Sequence, residues 1–252
     1  MARQTLTLGR LFDVRVGVHV SWLAVYAFMT FALARALGML PQPQAYAFAA
    51  ICALALFGSV VAHELAHALV ARRFGVRTNA ITLFLLGGVA TLEEEPGSPR
   101  ADALIALAGP ALSAAIAILA LGLLFVLDRF APGGTLRNAL GTLDTYVFIA
   151  NAVLAAFNLV PAYPMDGGRV LRAVLWRGSR DRDAATTIAS RVGIAFALLF
   201  VAASVLVAAA THSLVYGWYV LLGVFLLRQG WSQERALRAS ERRTNADVPA
   251  AA

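Results

Sequence analysis

The sequence predicts an all-α polytopic membrane protein: about six transmembrane helices, with a small cytoplasmic β-hairpin or sheet after the second. Three observations predict it. Of 252 residues, 60% are hydrophobic and 14% charged, with a mean hydropathy of +0.73, whereas soluble domains sit near half apolar and a quarter charged. Six apolar stretches, roughly 17–37, 45–71, 103–127, 142–163, 191–211 and 213–229, each approach the ~20 residues that cross a bilayer. With the N-terminus inside, every one of the 21 basic residues falls on an inner segment except Arg35, Arg129 and Arg137. That bias obeys the positive-inside rule and puts both termini in the cytoplasm.

The first stretch follows Arg3, Arg10 and Arg15 and runs on to Leu40, beyond the usual apolar region of a signal peptide. All 21 basic residues are arginine, so the net charge of +7 is accounted for by topology, and no nucleic-acid partner is expected. Cys52, the single cysteine, excludes an intramolecular disulfide and reads as a small buried residue. Residues 1–230 form one membrane domain. Residues 231–252 form a cytoplasmic tail, expected to start as a short surface helix and to end disordered.

The second stretch contains "VVAHELAHALVARR" (60–73). Each ionisable group near mid-membrane costs ~2.5–3.5 kcal/mol on insertion scales, so His63, Glu64 and His67 need a reason to be there. Spaced as H-E-x-x-H, the two imidazoles share one helix face and can grip one metal ion, while Glu64 reaches its water without being a ligand. Arg72 marks the inner end of this helix, nine residues on, which sets the metal ~13 Å below the cytoplasmic surface.

A catalytic zinc needs a third protein ligand and an open position. Among the remaining histidines, His212 falls on the opposite side and His19 reads as interfacial. Asp128 and Asp144 flank outer segments, and Asp102 begins a span. The acidic candidate is Asp166, in "FNLVPAYPMDGGRVLRAVLWR" (157–177). Pro161 and Pro164 require the fourth span to unwind. Gly167 and Gly168 let the backbone turn or approach closely. Irregular backbone at membrane depth is tolerated where it is protein-buried or lines a wet cavity. Spans two and four both run inward, which brings Asp166 to a depth similar to His67.

These residues resemble the site-2-type intramembrane zinc metalloproteases. The likeness is carried by His63-Glu64-Leu65-Ala66-His67, "ITLFLLGGVATLE" (81–93), "ALAGPALS" (106–113) and "NLVPAYPMDGGRVLRA" (158–173), and covers about residues 8–230. The opening "GVHVSW" (17–22) resembles a branch whose members often carry a cystathionine-β-synthase-type domain pair after the last span; no such pair is read here. The resemblance implies one zinc per chain held by His63, His67 and Asp166, with Glu64 as general base. It also implies that Asn158 positions substrate or stabilises the oxyanion. Ser113 stands where a "GPxxN" form has asparagine, a departure that leaves a polar helix contact.

The implied reaction is hydrolysis of a peptide bond in or beside a transmembrane helix. The implied partners are the lipid bilayer and single-pass membrane proteins such as anti-sigma factors. A substrate helix must unwind, and "AITLFLLGGVATLEEE" (80–95) suggests a sheet edge around Gly87 and Gly88 that pairs with an extended segment. An ordinary membrane-surface hairpin fits the same residues, and Glu93–Glu95 reads as a solvated run. A metal transporter or a non-proteolytic adaptor would also bury polar groups. Glu64, an acid beside the metal that is not a ligand, separates the hydrolase from the transporter, and the intact H-E-x-x-H with Asp166 argues against the adaptor.

Overall fold

A computed structural model describes residues 5–37, 41–84, 87–92, 94–212 and 216–246. The chain divides into two compact units: Met1–Pro96 with Leu107–Phe157, and Gly97–Ala106 with Asn158–Ala252.

The first unit begins with two strands, β1 (Thr5–Leu11) and β2 (Val14–His19), joined at Phe12 and Asp13, which both take positive φ. Two central residues in that region match the right-handed twist of a tight hairpin. Val14, Val16 and Val18 alternate inward while Arg15 points out, the period of a half-buried strand. The helix α1 (Ser21–Ala36) therefore starts later than position 17. Its 16 residues rise only ~24 Å, short of a ~30 Å hydrocarbon core.

Helix α2 (Gln42–Arg73) has 32 residues and ends on Arg72 and Arg73, cations that suit a helix C-terminus. Trp22 and Tyr26 of α1 stack at 5.2 Å, and Trp22 meets Phe57 of α2 edge-on at 4.7 Å. Ala34, Ala45 and Ala49, all buried, bring the same helices together elsewhere.

After α2 come β3 (Thr78–Phe84) and β4 (Gly87–Leu92), so the expected hairpin is half of a four-stranded sheet in the order β1-β2-β3-β4. The outer pairs are antiparallel and β2 lies parallel to β3, with Val16 opposite Ile81. Val14 and Ile81 pack on Ala68 and Leu65 of α2. The sheet is thus seated beside the H-E-x-x-H turn. Leu85, Leu86 and Glu93 lie outside the described residues.

Helix α3 (Pro99–Phe130) contributes its first residues to the second unit and its length from Leu107 to the first. Helix α4 (Thr135–Asn158) completes the first unit. The second unit continues with α5 (Asp166–Ser179), α6 (Arg182–Thr211) and α7 (Gly217–Ala246). Asp181 caps α6 by accepting from the Ala184 N–H at 3.0 Å, as an N-cap aspartate does. Gly223 of α7 lies against Phe200 and Val201, and Gly230 against Ile194.

Four helices, α2, α3, α4 and α6, are long and apolar enough to cross a membrane. The six stretches expected from sequence are thus matched as four by length and composition among the described residues. The first gives the short α1. The sixth gives α7, which includes Arg228 and continues through position 230 to Ala246. Ser213 and residues 247–252 lie outside the described residues.

Candidate metal centre

The period of α2 sets its functional face. Leu65 and Ala68 turn one side of the helix to the sheet, and His63 and His67 project from another. Both are buried, 3% and 6% exposed, with ring centroids 4.8 Å apart and planes at 78°. Opposite them α3 presents Gly109 and Ser113, again one turn apart. A β-carbon built on Gly109 would fall within 2.5 Å of Nε2 of both histidines. No real side chain fits there, so glycine is required by close approach. The two Nε2 atoms therefore face one gap against bare backbone.

Nδ1 of His63 lies 3.0 Å from Oγ of Ser113, which is completely buried. Imidazole nitrogens converging on a protected gap suit zinc or a similar divalent ion. Glu64, next in sequence and half-buried, stands beside that pair on the same helix.

One turn before His63, Ser59 Oγ donates to the Ala55 carbonyl at 3.0 Å and accepts from Asn151 Nδ2 at 2.9 Å. Asn151 is completely buried and also donates to the Val147 carbonyl at 2.9 Å. This bond ties α2 to α4 next to the histidines. His19, at the end of β2, accepts the Ser21 N–H on Nδ1 at 3.2 Å and so serves the start of α1.

In the second unit Asp166 is the first residue of α5 and is 8% exposed. Helix α4 ends at half-buried Asn158, and residues 159–165 leave the helix, as Pro161 and Pro164 require. The chain folds back so closely that a β-carbon on Gly167 would strike the Leu159 and Val160 carbonyls. One on Gly168 would strike the backbone of Ala162 and Tyr163. Close approach, not positive φ, explains both glycines.

Asp102 lies in the first turn of α3, at the start of a candidate span as expected. It is completely buried and accepts two 2.8 Å bonds from Nε and a terminal nitrogen of Arg172, itself 5% exposed. Arg169 reaches Asp102 at 3.4 Å and Asp166 at 4.0 Å, so the cluster ties the start of α5 to the start of α3. Asp144 was expected to flank an outer segment. It lies nine residues inside α4 and is buried.

The structure thus pairs His63 with His67 and keeps Glu64 beside them. In the second unit it sets Asn158 and Asp166 at the two ends of one unwound segment. Gly87 and Gly88 open β4, opposite Phe84 and Leu83. Sequence reasoning did not single out Gly109 or Asn151, and it passed over Asp102 as the start of a span. The two polar residues were detectable by the test that singled out His63, a costly group within an apolar run.

Peptidase family M50 is matched over residues 51–142 and 131–200, more than half of the chain. The chain belongs to peptidase family M50. The matched region includes His63, Glu64, His67, Asn158 and Asp166. Within the family it is 38% identical over 245 residues to the Mycobacterium tuberculosis protein named "Putative zinc metalloprotease Rip3", covering 96% of this chain and 60% of that one. To the protein of the same description, sll0528, from Synechocystis sp. it is 36% identical over 242 residues, covering 94% and 61%. The chain therefore spans about 60% of the length of these curated relatives. Among solved structures it is similar to the site-2 protease from Methanocaldococcus jannaschii, with a TM-score of 0.61 and 27% identity over 91% of this chain and 94% of that one.

Proposed function

We propose that this M50 chain is a zinc-dependent intramembrane endopeptidase that hydrolyses peptide bonds in or beside transmembrane segments of membrane proteins. The observation that carries the reading is the convergence of the His63 and His67 Nε2 atoms on the gap at Gly109, with Glu64 adjacent. In this reading His63, His67 and Asp166 hold one zinc ion per chain. Zinc in such a ligand set supplies a Lewis acid that brings the acidity of water toward neutral pH.

The chain's own groups do the rest. Glu64 takes a proton from the attacking water and returns it to the leaving amine. Asn158, at the end of α4, donates a hydrogen bond to the developing oxyanion. Burial of both histidines keeps bulk water from competing with these contacts. β4 closes the order of the described sheet. Its second edge, at Gly87 and Gly88, receives an extended substrate segment through main-chain bonds that tolerate varied side chains.

The substrates are single-pass membrane proteins, anti-sigma factors among them. Both termini lie in the cytoplasm, as the arginine distribution supports. α1 and α7 join the four long helices in the bilayer. An adaptor or transporter would use the same buried histidines without needing Glu64.

Chelation tests the reading. The purified chain in detergent should lose cleavage of an unfolded protein and of a transmembrane peptide after treatment with a zinc chelator, and regain it when zinc is added. Cleavage that is indifferent to chelator would refute a zinc hydrolase.

A further inference from the structure

We infer that Ser113 is a positioning residue of the metal centre, fixing the ligating nitrogen of His63, and that Gly109 and Ser113 together form its wall on α3. The inference rests on the zinc reading above and deepens it.

A neutral imidazole carries one N–H and one lone pair, so whichever nitrogen holds the hydrogen cannot bind a metal. Nε2 of His63 faces the gap at Gly109, together with Nε2 of His67. For His63 to ligate through that atom, Nδ1 must carry the hydrogen. The Ser113 hydroxyl, 3.0 Å from Nδ1, is then the acceptor. The opposite tautomer, with Ser113 donating to Nδ1, would aim an N–H into the gap and leave the ring unable to bind.

A hydroxyl permits either arrangement, and only the first would leave Nε2 of His63 free to hold a metal. Water is poorly placed to take over this bond, because Ser113 is 0% and His63 3% exposed. Gly109 and Ser113 are one turn apart on α3, as His63 and His67 are on α2, so the two helices present matched pairs. One member of the α3 pair keeps the gap open, and the other sets the ring that faces it. Partners of this kind hold ring orientation and raise ligand basicity.

The test is a competition titration of zinc against a chromophoric chelator, using the full chain in detergent. It compares wild type with Ser113→Ala, Ser113→Thr and Ser113→Asn, with unfolding temperature measured in parallel. Removing the acceptor should weaken zinc binding about 10–100-fold, while threonine or asparagine should retain it within about threefold. A packing role predicts the reverse order, since alanine fits the space of serine and threonine or asparagine overfills it. The cobalt-substituted protein adds a second readout: a changed visible spectrum in Ser113→Ala, with the wild-type spectrum in whichever of the threonine and asparagine variants folds. Unchanged zinc affinity and cobalt spectrum in Ser113→Ala would overturn the inference. A wild-type chain that binds no zinc would instead overturn the zinc reading beneath it.

Discussion

Asp102→Asn removes the charge that holds the start of α5 in the second unit. Asp102 accepts two 2.8 Å bonds from Arg172, and their side chains are 0% and 6% exposed. With charge centres about 4 Å apart and an effective dielectric near 20, the pair attracts by about 4 kcal/mol. Asparagine still accepts one hydrogen bond, but it removes the carboxylate charge that faces Arg172 at 2.8 Å and Arg169 at 3.4 Å. Breaking a buried pair from one side costs about 3–5 kcal/mol. For a chain of this size that corresponds to a fall of roughly 6–20 °C in the thermal midpoint, measured in mild detergent. The double variant Asp102→Leu, Arg172→Met removes both charges and should recover most of the loss, because apolar replacement of a buried pair is often neutral. A fall below about 2 °C for Asp102→Asn would mean that water reaches the pair and screens it, refuting its assignment as a buried clamp.

Three further outcomes follow from the site. Gly109→Ala puts a β-carbon against both Nε2 atoms and should abolish zinc binding in calorimetric titration; retained affinity would show that the gap is not the metal position. Asn158→Ala should lower kcat about 100-fold or more with zinc content unchanged, the loss typical of an oxyanion donor. Gly88→Pro removes a main-chain N–H from β4 and should raise KM for transmembrane substrates while zinc content holds, read from cleavage kinetics and metal analysis together.

The legible parts of this protein were those where a single residue breaks its surroundings. His63, Glu64 and His67 are costly in an apolar helix, and Pro161 and Pro164 forbid its continuation, so the motif and the unwound segment before Asp166 could be read without a fold. The N-terminal hairpin was not legible. Its alternating Val14, Val16 and Val18 merge into the apolar run of α1, and its turn, Phe12-Asp13, lacks the Asn-Gly or Asp-Gly signal of such loops. Gly109 is one small residue among many on α3, and its role exists only because two histidines from α2 face it. Asp102 finds Arg172 at a separation of 70 residues, which no local pattern encodes. Of the six expected spans, four are matched among the described residues by helices long and apolar enough to cross a membrane. Hydropathy registers how apolar a stretch is, but not that the strand β2 takes the first residues of the first stretch and leaves α1 with 16 residues.

The most direct measurement compares wild type with Glu64→Gln in detergent, recording bound zinc and cleavage of a transmembrane substrate in the same samples. The account predicts about one zinc per chain in both, with cleavage by wild type alone. Cleavage by Glu64→Gln at the wild-type rate would contradict it, because the proton would then be moved by another group.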